Sequence, residues 1–134
     1  METRYQRFNM IREILRDSLQ DHYNHVDMFD DRSSAEYKAL LWIVRDDVLQ
    51  ISPNDPSRLL QRFILACLYY STKGDISWKN KYNFLTSTHE CSWNKKNASH
   101  ALVDYENRGI WCKGYTENIT HIWLGKYQKI YIQL

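Results

Sequence analysis

Glycine and proline are scarce in these 134 residues, four and two, while Trp, Tyr and Phe number five, ten and four. Aromatics at that density need a packed interior or a binding face, which excludes disorder as the main state of the chain. Charge of one sign is scarce as well. Eighteen Lys+Arg against sixteen Asp+Glu leave +2, too little for a general attraction to nucleic acid or to a membrane surface. Long apolar runs are missing: the longest, Ala39 to Val44 and Ile64 to Tyr70, fall far short of the ~20 residues that cross a bilayer. METRYQRFNM at the N-terminus has no apolar signal core, so the chain reads as cytosolic as written or as part of a longer precursor. With 43% hydrophobic and 25% charged positions, the expectation is one soluble domain over 1–134, divided into a helical half (1–73) and a loop and strand half (74–134).

The charge that exists is unevenly spread. Residues 1–70 hold nine basic and eleven acidic side chains, and residues 71–134 hold nine and five, with Lys73, Lys79, Lys81, Lys95 and Lys96 bunched after the break. A solvated rim on a docking surface accounts for this as well as a phosphate track does. No arginine–aromatic interleaving or nucleic-acid motif supports a nucleic-acid partner.

Apolar periodicity predicts three helices in the first half. Phe8, Ile11, Leu15 and Leu19, reinforced by Ile14, recur at three- and four-residue spacing from about Thr3 to His22. Ser33-Ser34-Ala35-Glu36 reads as a capping box ahead of Ala39, Leu40, Ile43, Val44 and Val48, for a second helix to about Asp47. Asp55 as cap and Pro56 at the first helical position open a third helix, with Leu59, Leu60, Phe63, Ile64, Cys67 and Leu68 on its apolar face and a stop at Ser71-Thr72-Lys73-Gly74. Beyond Gly74 the period is lost apart from a turn at Tyr82 to Leu85. Candidate strands are Ala101 to Tyr105, Gly109 to Cys112, Ile119 to Leu124 and Lys129 to Leu134. The expected architecture is α+β, three N-terminal helices packed on a small C-terminal set of short strands.

Few residues suggest chemistry. Cys67 lies on an apolar helix face and reads as a buried small hydrophobe. Cys91 and Cys112 are either a disulfide closing a loop of about 20 residues, for roughly 3 kcal/mol, or two thiols, and spacing does not decide between them. His89-Glu90-Cys91 with Cys112 and His121 offers no CxxC or HxxxH frame for zinc, so no metal or cofactor is expected. His22 and His25 near Asp21 and Asp27 read as solvated capping of a helix end. A Cys91–His89 thiol pair has no third group to orient it, and GxxxxGK[ST], GxGxxG, GxSxG and HExxH are all missing, so an enzyme is not supported. The sequons Asn97-Ala98-Ser99 and Asn118-Ile119-Thr120 are too easily met by chance to decide anything.

Several ordered blocks resemble one family. Gln61 to Thr72 (QRFILACLYYST), then Trp78, Phe84-Leu85 and His89-Glu90-Cys91-Ser92-Trp93, resemble the N-terminal cap domain of diatom leucine-rich-repeat proteins, whose caps read RYALATLYYST, Trp, FLS and HEC.W. Ser34 to Asp47 (SAEYKALLWIVRDD) is similar to their SPQYKALDWLANDD segment. Gly109-Ile110-Trp111-Cys112 and Ile119 to Leu124 (ITHIWL) are similar to GV.C and to the VT.L.L that opens a first repeat. The resemblance covers roughly residues 10–125. It implies a domain that shields the end of a repeat stack, with Cys91 and Cys112 as its disulfide.

After Leu124 the family pattern fails: Tyr127 stands where the repeat carries its Asn, and no further repeat follows. A terminal repeat without neighbours leaves an apolar face and a strand edge to be covered by something else. The function this implies is a non-catalytic protein–protein interaction module, an accessory subunit docking on protein subunits of a larger complex. Lineage points to a diatom photosystem supercomplex in the plastid, to which the chain would be peripheral, without a membrane span of its own. Trp123, Lys126, Tyr127, Lys129 and Tyr131 are the expected partner-binding residues, because Trp, Tyr and flanking cations dominate interface energetics. Trp123 is equally readable as core. The alternative is the N-terminal cap of an extracellular leucine-rich-repeat receptor on the secretory pathway.

Overall fold

The computed structural model describes residues 3–23, 26–95, 108–112, 117–124 and 129–131. They belong to two units, Met1–Trp78 and Lys79–Leu134. Helices fill the first and short strands the second, an α+β protein as expected.

Helix α1 spans Arg4–Leu19. Thr3 and Gln6 start it reciprocally: the Gln6 N–H donates to Thr3 Oγ1 (3.1 Å) and the Thr3 N–H to Gln6 Oε1 (2.8 Å). Ile11 and Leu15 are buried as their period requires, while Phe8, Ile14 and Leu19 are half-buried. Arg7 continues the same stripe one turn earlier. It is only 6% exposed, and its guanidinium donates to the carbonyls of Ile51 (3.0 Å) and Ile43 (3.5 Å). The helix tightens into a 3-10 turn over Gln20–Tyr23, and Arg16 on its last turns pairs with Asp27.

Helix α2 covers Ala35–Leu41 and is capped by Ser34, whose Oγ accepts from the Tyr37 N–H at 3.1 Å. The cap is one residue later than the capping box placed it. Ser33 donates instead to Asp31 (2.7 Å), and the Glu36 carboxylate accepts from the Tyr23 hydroxyl (3.3 Å). After Leu41 the helix widens into a π turn, Trp42–Asp46, closed by the Asp47 N–H on the Trp42 carbonyl at 2.8 Å. Because this turn ends the helix, Val48 lies beyond it and is 77% exposed rather than on the apolar stripe.

Helix α3, Pro56–Ser71, begins as its sequence dictates, with Asp55 accepting from the Arg58 N–H (3.3 Å) and Pro56 in the first turn. Its buried face is rotated from the expected one. Leu59, Arg62, Phe63, Ala66 and Tyr69 are buried, whereas Leu60, Ile64, Cys67 and Leu68 are half-buried. Phe29 meets Phe63 edge-on at 5.9 Å. Lys73 then takes a left-handed φ of 57° and starts a single helical turn, α4 (Gly74–Ser77), where only loop was expected. Gly74 lies against the Tyr69 ring, which a Cβ would strike, and Tyr69 stands edge-on to Trp78 at 5.2 Å.

The buried face of α3 carries an ion pair. Arg62 has no exposed side-chain surface, and its Nε and Nη2 donate to Asp47 Oδ2 (2.6 Å) and Oδ1 (2.7 Å). The guanidinium also lies over the Trp42 ring, 5.0 Å from its centre. A bidentate, desolvated pair of this kind binds the π turn to α3.

The second unit opens with irregular chain. Tyr82, Asn83 and Leu85 all have positive φ (52°, 61° and 61°), and the turn drops Phe84 onto Trp93, with ring centres 5.3 Å apart. A 3-10 turn at Glu90–Ser92 leads to three antiparallel strands in the order β1-β2-β3: β1 Gly109–Cys112, β2 Ile119–Trp123 and β3 Lys129–Tyr131. All three fall on expected strands. The fourth expectation, Ala101 to Tyr105, lies outside the described residues, as do the sequon Asn97-Ala98-Ser99 and His25.

Candidate interaction surface

The sheet of the second unit is anchored at β1. Its four residues are all buried, and Ile110 and Trp111 have no exposed surface. On one side, the segment after the 3-10 turn runs alongside it: the Ile110 N–H donates to the Trp93 carbonyl (2.7 Å) and the Lys95 N–H to the Arg108 carbonyl (2.8 Å). Asn94 bridges to Gly109 at this point, and its side-chain amide donates to the carbonyls of Cys91 (2.9 Å) and Ile110 (3.1 Å). Gly109 has a φ of +113°, and a Cβ there would run into the Trp93 carbonyl and Asn94 Cα, so only glycine allows this approach.

The Cys91–Cys112 disulfide fastens the same corner, with Cα atoms 5.4 Å apart and a separation of 21 in sequence. Cys91 Sγ is thereby committed, and the thiol that a Cys91–His89 pair would need does not exist in this state. His89 serves the backbone, its Nδ1 accepting the Cys91 N–H at 3.0 Å. Its Nε2 stands 3.9 Å from both the buried Glu90 carboxylate and the exposed Glu117 carboxylate. Among the described residues no group of three His, Cys, Asp or Glu is placed to hold a metal ion.

On its other side β1 pairs with β2, through a bulge between Trp111 and Cys112, and β2 pairs with β3. In β2, Thr120 Oγ1 lies 3.3 Å from the Trp111 carbonyl and 2.8 Å from His121 Nδ1, so the hydroxyl of the sequon Asn118-Ile119-Thr120 is engaged within the sheet. The expected contact residues divide three ways. Trp123 is 8% exposed and belongs to the buried set. Lys129 and Tyr131 lie on β3, registered opposite Trp123 and His121 respectively. Lys126 and Tyr127 lie outside the described residues. Among the described residues β3 pairs with β2 alone, which makes it the edge of the sheet.

The first unit adds features that hydropathy patterns do not reveal, the buried cations Arg7 and Arg62. The single legible sign was Asp47 at the end of an apolar stripe, a residue that needs a partner if it is buried. Half-buried Cys67 has its thiol pKa pushed up, by burial first and by the Glu36 carboxylate second, which makes it a poor nucleophile. No helix among the described residues is long and apolar enough to cross a membrane. No family model matches this chain, and neither a curated protein nor a solved structure matches it.

Proposed function

We propose that the chain is a non-catalytic protein–protein interaction module, an accessory subunit that docks on a larger assembly through its C-terminal strands. The observation that carries this reading is β3, a three-residue edge strand that pairs, among the described residues, with β2 only. An edge strand presents backbone donors and acceptors that a partner chain can pair. Lys126, Tyr127, Lys129 and Tyr131 are the contact residues of this proposal; Trp123, being buried, is left out of the contact set. Its concrete version, drawn from the resemblance to diatom repeat caps, is a peripheral subunit of a photosystem supercomplex in the plastid. Replacing Lys129 with Glu and Tyr131 with Ala together tests the surface: the variant is expected to keep the circular dichroism of the parent and to separate from the assembly on gel filtration. Retention in the assembly at parental strength would refute the surface.

The disulfide favours a second reading, because Cys91–Cys112 requires an oxidising compartment to persist. In that reading the chain is the N-terminal cap of an extracellular leucine-rich-repeat receptor. A transcript that continues past Leu134 into repeats would select it over the first.

A further inference from the structure

A cleft of about 340 Å³ lies in the first unit, where the start of α1 faces the π turn and the loop after it. Three of its lining residues are arginines, Arg4, Arg7 and Arg45, joined by Thr3, Asp46 and Gln50. The concentration of positive charge is local. Residues 1–78 as a whole carry ten Lys+Arg against twelve Asp+Glu. The two carboxylates at the cleft differ in what they are free to do: Asp47 is committed to Arg62 by two bonds, and Asp46 stands exposed at the rim. Three arginines thus line the cleft beside one carboxylate, that of Asp46, which makes no ion pair among the described residues.

The cations are also well placed. Arg7 is fixed in the wall by its bonds to the Ile51 and Ile43 carbonyls. Arg4 and Arg45 are exposed and make no ion pair among the described residues, so both can turn to a ligand. The first turn of α1 holds no acidic residue, and its leading amides, those of Arg4 and Tyr5, have no intrahelical acceptor and carry the positive end of a sixteen-residue helix. Opposite them the loop is held in one shape by Gln50. Its side chain donates to the Asp47 carbonyl (2.7 Å) while its backbone is kept at a φ of 45°, a conformation that needs such support.

We propose that this cleft binds a small ligand bearing a phosphate group, the phosphoryl oxygens lying between the α1 amides and the guanidiniums of Arg4, Arg7 and Arg45. A divalent oxyanion matches the excess of about two positive charges, and arginine forks suit its geometry. The volume is at the small end of the ~300–1,000 Å³ range of ligand sites, which fits a phosphorylated compound of a few carbons and leaves no room for a dinucleotide. This proposal rests on residues of the first unit alone and stands or falls independently of the docking reading for β3.

An amide-resolved NMR titration of the full chain with glycerol 3-phosphate at neutral pH, ionic strength held constant with sodium chloride, tests the proposal. The expected result is saturable shifts confined to residues 3–7 and 44–50, with the dissociation constant raised about tenfold or more by Arg4→Ser and by Arg45→Ser and partly restored by Arg45→Lys. Both arginines are exposed, so the variants are expected to keep the parental spectrum elsewhere. Shifts centred on the lysines of the second unit, no saturation by tens of millimolar, or parental affinity in both serine variants would overturn it.

Discussion

Removing the Asp47 carboxylate takes the counter-charge from a cation that has no access to water. Arg62 is 0% exposed at its side chain, and Asp47 supplies two of its acceptors at 2.6 and 2.7 Å. Asp47 Oδ1 also receives the Leu49 N–H at 3.1 Å, so Asp47→Ala unseats the loop as well as the charge. Breaking a buried pair from one side costs about 3–5 kcal/mol, and the Trp42 ring, 5.0 Å from the guanidinium in the parent already, does not replace the lost carboxylate. The expected loss is therefore about 3–5 kcal/mol, a large share of the ~5–15 kcal/mol that stabilises a typical domain. Asp47→Asn keeps one acceptor and should lose about half as much. The double variant Asp47→Leu, Arg62→Met removes both charges together and is expected to be more stable than either Asp47→Ala or Arg62→Ala. Urea denaturation followed by far-ultraviolet circular dichroism reads the helical transition. A single-variant loss below ~1 kcal/mol, or a double variant as costly as the two single losses added, would refute this account of how α3 is held to the π turn.

Other consequences are equally concrete. Gly109→Ala places a Cβ against Trp93 and Asn94 at a φ of +113° and should destabilise the second unit by about 2 kcal/mol or more, read as a lower denaturation midpoint of the near-ultraviolet signal. Replacing Cys91 and Cys112 with Ser removes a bridge spanning 21 residues and should cost roughly 3 kcal/mol in the same signal, with little change in the helical transition. Burial first, and the Glu36 carboxylate second, raise the Tyr23 hydroxyl from 10.0 to about 12. The folded state thus favours the neutral phenol, and its contribution to stability is complete below pH 10 and is lost as pH rises through about 12. In an alkaline absorbance titration Tyr23→Phe should remove one of the last tyrosines to ionise, and its stability should fall less steeply over that interval.

The helix starts were legible because capping chemistry is local: Asp55-Pro56 opened α3 where expected, and the alternation from Lys129 onward marked β3. The faces were less legible. Apolarity alone assigns the α3 stripe to Leu59, Leu60, Phe63, Ile64, Cys67 and Leu68; Leu59 and Phe63 are buried, but the other four are half-buried and the buried face also takes in Arg62, paired with Asp47 fifteen residues earlier. The π turn was hidden for a related reason, since adding one residue to a helical turn changes no composition. Val48 was consequently placed on a face that the chain has already left. In the second unit the strand Gly109–Cys112 and the Cys91–Cys112 pairing were anticipated, yet Asn94 and Gly109, which set the approach between them, carry no hydropathy signal. Trp123 illustrates the ambiguity of aromatics, readable as contact or as core, and it is buried.

The central claim is that this chain works in an assembly. Its native mass after gentle extraction from its source, by size-exclusion with mass spectrometry of the co-eluting chains, tests that claim directly. The account predicts elution within a large complex whose subunits recur across preparations. Elution as a monomer of 16.2 kDa would contradict it.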